Sequence, residues 1–218
     1  EIYTLLYTLS LHDALPIAAA VAAPLFAFSS GGSRATQLDG TLGGNAVGAV
    51  SASNGHILAA IPLAASPDAI AAGAGSIWVA MSDRGIVSRI NEKTNAVQQT
   101  ITTRGGPSAL TVGGGFVWVA GTLAGTVSRI DPQANGGEVV GQPIQVGNVP
   151  SGISYGLDAV WVANSVDSTV IRINPVTGTP GRPISVEDGA DGVAAGGDSV
   201  WVLGKASGVL SRIDPATR

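Results

Sequence analysis

Four tryptophans recur along the chain at a nearly constant spacing. Successive members are separated by 40, 43 and 40 residues, and they are Trp78, Trp118, Trp161 and Trp201. Eleven residues after each tryptophan stands an arginine, followed by isoleucine and then Asn or Asp. These arginines are Arg89, Arg129, Arg172 and Arg212. Tryptophan is a rare residue, and the distance from each tryptophan to its arginine is the same in all four cases. This pattern predicts a structural repeat of about 40 residues.

Each unit contains four short apolar runs separated by turn residues. In the first complete unit the runs are Ala69–Ala72, Ser76–Met81, Ile86–Ile90 and Val97–Thr102. Their length and their content of Val and Ile are typical of strands, and none is long enough for an amphipathic helix. Four antiparallel strands in roughly 40 residues match one blade of a β-propeller. The predicted fold class is therefore all-β, a β-propeller of four-stranded antiparallel blades.

The repeat also predicts how the chain is divided. Three complete blades occupy residues 67–103, 107–147 and 150–186. A partial blade at 46–62 matches only the last two strands of a unit, and another at 190–214 ends after its third strand. We therefore expect about four blades, forming an incomplete arc of a larger propeller and leaving one side of the Trp201 blade bare. On this interpretation the chain is a fragment of a longer protein.

The run that carries the tryptophan is apolar on both faces in every unit. Such a run is typical of a strand covered on both sides, so we expect all four tryptophans to be largely buried between blades. The alternative is an aromatic cage for a ligand. The repeated arginine either offers a ring of positive charge to an anion or makes the same fixed contact in each blade, with a carboxylate or a Trp. Regular repetition favours the fixed contact.

The segment before the first unit does not carry the repeat. Residues 1–17 resemble the translation of a sequencing-library adapter, so we do not assign them to the predicted fold. Residues 18–28 are apolar but too few to span a bilayer, which takes about 20 residues. We interpret them as the remnant of a signal peptide or membrane helix. Residues 29–45 are rich in Gly, Ser and Thr and are typical of a flexible linker.

Charge and composition exclude several functions. The net charge is −4 and there is no run of Lys or Arg, so nucleic acid is not an expected partner. The chain has no cysteine, which excludes disulfides and thiolate metal sites. His56 is the one histidine beyond residues 1–17, and we interpret it as a surface residue of a turn. No catalytic residue, cofactor or metal site is predicted.

The units differ most in the loops after their second and fourth strands. Recognition by repeat proteins normally uses such variable loops, so we predict a ligand-binding face there, with plain solvated connectors as the alternative. The candidate residues are Asp83, Arg84, Arg104, Asn148, Asn164, Asp167, Glu187, Asp188 and Lys205.

Two strings in the units carry a resemblance to a known family. Val160–Asn164 and Val170–Pro175 read V-W-V-A-N and V-I-R-I-N-P, and they resemble the YVTN/NHL-like propellers of bacteria. Gly125–Pro132, GTVSRIDP, is similar to segments of secreted or membrane-tethered actinobacterial propellers. The resemblance covers residues 46–218. It implies an exported binding protein or the outer domain of a kinase or transcriptional regulator, but streptogramin B (virginiamycin B) lyases are also relatives.

These observations lead to two functional hypotheses. The first is an extracytoplasmic binding or protein-interaction domain whose partner is an unknown protein or small molecule. Contact with a membrane is then expected only through a lost N-terminal segment. The second is an incomplete streptogramin-lyase-like enzyme, for which the resemblance requires a histidine base and acidic residues that assist a metal. Those residues would have to lie in blades outside this sequence.

Overall fold

The structure is a computed structural model that describes residues 44–134, 137–187 and 189–216, together with the backbone of strand 3–6. The predictions for the apolar stretch at 18–28, for most of the linker and for Asp188 lie outside the described residues. The interpretation of residues 1–17 stays a prediction.

The described residues form eighteen strands in five antiparallel sheets, which follow one another in chain order. The N-terminal blade consists of β1 (Tyr3–Leu6), β2 (Ala46–Ser51) and β3 (Ile57–Pro62). The Trp78 blade consists of β4 (Ala69–Gly73), β5 (Ser76–Met81), β6 (Ile86–Asn91) and β7 (Val97–Thr102). The Trp118 blade consists of β8 (Pro107–Gly113), β9 (Phe116–Gly121), β10 (Thr126–Asp131) and β11 (Glu138–Gln145).

The remaining strands form the last two blades. The Trp161 blade consists of β12 (Pro150–Gly156), β13 (Ala159–Asn164), β14 (Thr169–Ile173) and β15 (Ile184–Ser185). The Trp201 blade consists of β16 (Ala190–Gly196), β17 (Ser199–Gly204) and β18 (Val209–Ile213). The described residues contain one helical turn, the 3₁₀ turn Ser82–Arg84 after β5. The predicted all-β propeller of four-stranded antiparallel blades is therefore confirmed.

Side chains of the second strand alternate between the two neighbouring blades. Trp78 lies on one face of β5 and packs with Val117, Val119 and Ile130 of the following blade. Val79 lies on the other face and packs with the preceding N-terminal blade. The same arrangement recurs for Trp118 and for Trp161. A neighbour on each side accounts for the continuous apolar run, since neither face of the strand meets water.

The three interior tryptophans form the centre of the blade-to-blade contacts. Trp78, Trp118 and Trp161 are fully buried. Their indole Nε1 atoms donate to the carbonyl oxygens of Gly73, Gly113 and Gly156 at 3.1, 2.9 and 3.1 Å. Each indole therefore buries its apolar surface without leaving an unpaired donor. The transfer of one such side chain from water is worth about 4–6 kcal/mol.

The fourth tryptophan corrects one prediction. Trp201 is 42% exposed, so the expectation that all four tryptophans are largely buried is wrong for the last blade. The same face of this blade also exposes Leu203 and Leu210. No described blade covers this face, whereas Val200 and Val202 on the opposite face are buried against the Trp161 blade. The predicted bare face of the Trp201 blade is thus confirmed, and the described blades form an incomplete arc.

The N-terminal blade contains a strand that the sequence analysis did not predict. Strand β1 pairs antiparallel with β2, with Tyr3 opposite Ser51 and Leu6 opposite Gly48. It falls within residues 1–17, which were set aside. Antiparallel pairing uses backbone groups, so a strand can add to the open edge of β2 whatever its side chains are.

Candidate binding face

The loops after the second and fourth strands meet on one side of the propeller, which we call the loop face. Antiparallel order brings these two loops to the same end of each blade. Within three blades a backbone amide of the fourth-strand loop donates to a carbonyl of the second-strand loop. These bonds are Thr103 N to Gly85 O at 2.8 Å, Val146 N to Gly125 O at 3.0 Å and Val186 N to Ser168 O at 3.0 Å. The loops that the sequence marked as candidates therefore lie on a common face.

Backbone hydrogen bonds also join neighbouring blades across the loop face. Leu123 N donates to Gly105 O at 2.9 Å, Ser165 N to Val149 O at 3.0 Å and Lys205 N to Gly189 O at 3.0 Å. Each bond links a fourth-strand loop to the second-strand loop of the next blade. The loops are thus held by a continuous chain of paired backbone groups, which fixes their position relative to the sheets.

A polar side chain at the start of three blades supports the loop after the second strand. Asp68 Oδ2 accepts a hydrogen bond from Ser82 N at 2.6 Å, and Asp191 Oδ2 accepts one from Lys205 N at 3.0 Å. In the Trp118 blade the hydroxyl groups of Ser108 and Thr122 are hydrogen-bonded to each other at the equivalent place. A Ser or Asp that follows the Pro of the repeat, or follows Ala190 in the last blade, is the sequence signal for this contact.

Two of the predicted residues form one contact between the Trp118 and Trp161 blades. Asn148 donates its backbone N to Asp167 Oδ2 at 2.7 Å and its side-chain Nδ2 to Asp167 Oδ1 at 2.8 Å. These two hydrogen bonds, the backbone bond first, lower the pKa of the Asp167 carboxyl below its ordinary value. Both side chains are exposed on the loop face. They present a rigid polar pair to solvent.

Asn164 lies beneath this pair rather than on the surface. Its side chain is fully buried, and its Nδ2 donates to Val146 O at 3.0 Å and to Thr169 Oγ1 at 3.3 Å. Gly147 packs directly on it, because a Cβ there would come within 2.7 Å of Asp167 Oδ2 and 2.9 Å of Asn164 Cγ. Asn164 therefore acts on the loop face by supporting the loop that carries Asn148.

The remaining predicted residues that the structure describes are exposed side chains of separate loops. Asp83 and Arg84 lie in the 3₁₀ turn, Arg104 and Glu187 follow fourth strands, and Lys205 follows β17. No hydrogen bond or ion pair links their side chains within the described ranges. They give the loop face charges of both signs, and no catalytic cluster forms among them. Their role in binding stays a prediction.

The repeated arginines make a fixed aromatic contact in each of the four blades that contain a tryptophan. Each arginine lies directly opposite its tryptophan across the second and third strands. The guanidinium carbon lies 5.1–5.9 Å from the centre of the indole ring in all four pairs. This range is that of cation–π contacts. Of the two interpretations of the arginine, the fixed contact is the one that the structure supports.

Two further features of the described residues bear on function. No group of three or more His, Asp or Glu side chains in this part of the chain is placed to hold a metal ion. Within the same residues, none of the helical structure is long and apolar enough for a membrane span.

Comparison with known proteins identifies the fold. No protein-family model matches the chain, and no curated protein matches it significantly in sequence. Solved structures do match. Hydrazine synthase of Kuenenia stuttgartiensis is 22% identical with a TM-score of 0.64, over 69% of this chain and 46% of that one. A streptogramin B lyase structure is 18% identical with a TM-score of 0.63, over 79% and 62%. The Pan2 WD40 domain of Neurospora crassa is 17% identical with a TM-score of 0.65, over 80% and 58%.

These similarities define the chain as a β-propeller protein. The matched structures carry unrelated activities, and identities this low establish the fold alone. The chain spans about half to three fifths of the length of these three proteins. The activity, substrates and partners of the whole protein therefore belong to the proposals below.

Proposed function

We propose that this protein is a binding domain that recognises a protein partner through its loop face. The observation that carries the proposal is the combination of a fixed backbone with variable side chains. Backbone hydrogen bonds join the loops within and between blades, while the exposed residues at equivalent positions differ from blade to blade. A rigid frame lowers the entropy that binding must remove, and variable loops supply specificity.

The charges of the loop face fit a polar surface of mixed sign. Arg84, Arg104 and Lys205 are exposed together with Asp83, Asp167 and Glu187. A mixed pattern steers and selects a protein surface of complementary pattern, and it does not provide the continuous positive potential that a phosphate backbone attracts. The proposed partner is therefore a protein rather than a nucleic acid.

The place of action that we propose is outside the cytoplasm of a bacterium. The support is the resemblance of Val160–Asn164 and Gly125–Pro132 to YVTN/NHL-like propellers that are secreted or tethered to a membrane. The apolar residues 18–28 are consistent with export or tethering in a longer protein. Protease added to intact cells that make the full-length protein should cleave it, and cleavage only after lysis would contradict this location.

The lyase alternative is not favoured. The similarity to streptogramin B lyase is one of fold, at 18% identity. His56, the one histidine among the described residues, lies at the end of the turn between β2 and β3. The described residues therefore contain no group of side chains that supports a lyase activity over binding.

Site-specific photocrosslinking tests the proposed face. Benzoylphenylalanine would replace Asp83 or Arg104 on the loop face. The controls would replace Glu92 of the Trp78 blade or Gln133 of the next blade, which are exposed in turns on the side opposite the loop face. Incubated with a cell-envelope extract, the loop-face positions should crosslink one discrete protein and the controls should not.

The charge dependence of the crosslink gives a second readout. The double variant Arg84→Gln and Arg104→Gln should reduce the crosslink at position 83 and make the remaining yield less sensitive to salt, because charge pairs steer association. Equal crosslinking from both sides of the propeller, or none from the loop face, would refute the proposal.

A further inference from the structure

The Trp161 blade, like the Trp118 blade with its Phe116, lacks the serine that binds the repeated arginine in the other two tryptophan blades. In two other blades a serine hydroxyl accepts a hydrogen bond from the arginine Nε, at 2.9 Å for Arg89 and Ser76 and at 2.6 Å for Arg212 and Ser199. The equivalent of these serines beside Arg172 is Ala159, which has no hydroxyl. Arg172 makes no side-chain hydrogen bond or ion pair within the described residues.

The fourth strand of this blade is interrupted where it would cover Arg172. In the Trp78 and Trp118 blades the arginine lies opposite a residue of the fourth strand, Gln99 or Val140. Strand β15 contains two residues and pairs only with Thr169 and Val170. Pro180 and Pro183 flank the interruption, and proline cannot donate to a strand ladder. The guanidinium of Arg172 is consequently exposed.

A pocket of about 340 Å³ opens at this interruption. The residues that line it include Asp158, Arg172, Thr177, Thr179 and Pro180. It lies among the turns that follow first and third strands, on the side opposite the loop face. The sequence analysis did not predict a site here.

The turn that carries Asp158 has an unusual backbone. Leu157 and Asp158 have φ angles of 54° and 52°, in the left-handed region. The equivalent turns of the other blades place glycine at one or both positions, in Ala74-Gly75, Gly114-Gly115 and Gly197-Asp198. Left-handed geometry disfavours residues with a Cβ by about 1–2 kcal/mol each. Such strain persists where the surrounding structure maintains it, often at binding sites.

The two charges that line the pocket are not paired with each other. The equivalent charges of the last blade, Arg212 Nη2 and Asp198 Oδ1, form an ion pair at 3.1 Å. No such ion pair joins Arg172 to Asp158. Asp158 is left-handed and Asp198 is not, so the two carboxylates leave the backbone in different directions. The pocket thus offers one cation and one anion that both remain available to a ligand.

We propose that this pocket binds a small α-amino acid as a zwitterion. The ligand carboxylate accepts two hydrogen bonds from the planar guanidinium of Arg172. The ligand ammonium donates to the Asp158 carboxylate. The Thr177 hydroxyl oxygen already accepts from Thr179 N at 3.2 Å, so its own proton can be donated to the ligand carboxylate. This site is separate from the loop face and does not depend on the proposed function.

Nuclear magnetic resonance titration of the ¹⁵N-labelled chain tests the site with three probes: glycine, acetate and methylammonium. Glycine should give saturable shifts at the Nε–H signal of Arg172 and at the amides of Thr177 and Thr179. Acetate and methylammonium each satisfy one of the two charges, so they should bind about tenfold or more weakly. Equal affinity for glycine and acetate, or no saturable shift with glycine, would overturn the proposal.

Four substitutions separate the contributions of Arg172 and Asp158 to glycine binding. Arg172→Gln should reduce glycine affinity about tenfold or more, and Asp158→Asn should reduce it to the level of acetate. Ala159→Ser removes no ligand group, but it offers Arg172 the hydroxyl partner that Arg89 and Arg212 have and should weaken binding. Arg212→Gln is the control in the neighbouring blade and should leave binding unchanged. Wild-type affinity in a folded Arg172→Gln or Asp158→Asn variant would refute the site.

Discussion

The Trp78 and Trp201 blades contain the same local structure in different surroundings. In both, the tryptophan lies opposite an arginine whose Nε donates to a serine hydroxyl, Ser76 or Ser199. Trp78 is fully buried under the next blade, whereas Trp201 is 42% exposed. The pairing of tryptophan and arginine is thus a property of one blade. Burial of the tryptophan is a property of two adjacent blades.

The residues beside the two tryptophans show the same difference in burial. Ala80 and Val87 flank Trp78 on its face and are fully buried. Their equivalents in the Trp201 blade are Leu203 and Leu210, which are larger and are 42% and 60% exposed. Exposed apolar patches on soluble proteins generally mark contact surfaces. The last blade therefore exposes the surface through which each interior blade contacts the next one.

Removal of the two indoles should give the largest difference between the blades. Trp78→Ala leaves a cavity between two blades and should lower the free energy of unfolding by about 3–5 kcal/mol. Trp201→Ala removes a half-exposed ring, so its effect should be less than half as large. Chemical denaturation of both variants measures the two values. Equal losses would show that Trp201 is as well packed as Trp78.

An aspartate introduced on the apolar face should weaken self-association when it lies in the Trp201 blade. In the Trp78 blade it should lower the stability of the fold. We expect the chain to self-associate with rising concentration through the bare face, and Leu210→Asp should shift it toward monomer with little loss of stability. Val87→Asp places a carboxylate at the equivalent buried position and should destabilise by several kcal/mol. Light scattering and denaturation distinguish the two effects. Unchanged association of the Leu210→Asp variant would exclude this face as the contact.

The serine that holds each arginine should matter more in the interior blade. Ser76 is fully buried, and Arg89 also donates to Pro132 O of the next blade at 3.1 Å. Ser76→Ala should therefore cost about 1 kcal/mol, the usual worth of a hydrogen bond. Ser199→Ala should cost less, because Arg212 is solvated and retains its ion pair with Asp198. A larger effect at Ser199 would reverse the comparison.

The smallest predicted effect is a pH dependence that arises from Asp198 in the Trp201 blade. The hydrogen bond from Ser199, followed by the charge of Arg212, lowers the pKa of Asp198 in the folded chain. A lowered folded pKa contributes stability that is present above the unfolded pKa and is lost as the pH falls through the folded value. The carboxyl ¹³C signal of Asp198 should titrate below its ordinary value of 3.8. Arg212→Gln should raise that midpoint, and an unchanged midpoint would contradict the assigned cause.

Much of the fold could be predicted because its determinants are local. The four strands predicted for the Trp78 unit agree with β4 to β7 to within one residue at each end. Short Val-rich runs between Gly, Asn and Pro turns define such strands without reference to distant residues. Exposure of Trp201 was harder to predict, since Val200-Trp201-Val202 has the same pattern as Val160-Trp161-Val162. What differs is the neighbour, which local pattern does not encode.

The candidate sites show the same limit. The sequence marked Asn148 and Asp167 as loop residues, but their contact joins two blades and was not foreseen. The sequence predicts Asn164 to be a loop residue, but it ends strand β13 and its side chain is buried. The Arg172 pocket had a readable signal in Pro180 and Pro183, which interrupt the fourth run of that unit. Its second signal, Ala159 in place of serine, is meaningful only once the Ser76–Arg89 contact is known.

Each interior tryptophan is buried by the blade that follows it, and no described blade follows Trp201. The most direct test is ¹⁹F spectroscopy of the chain labelled with 5-fluorotryptophan, in dilute solution with a soluble paramagnetic gadolinium chelate. Four resonances are expected, of which one broadens strongly, and that one should disappear in the Trp201→Phe variant. Comparable broadening of a second resonance, or protection of all four at every concentration, would contradict the account.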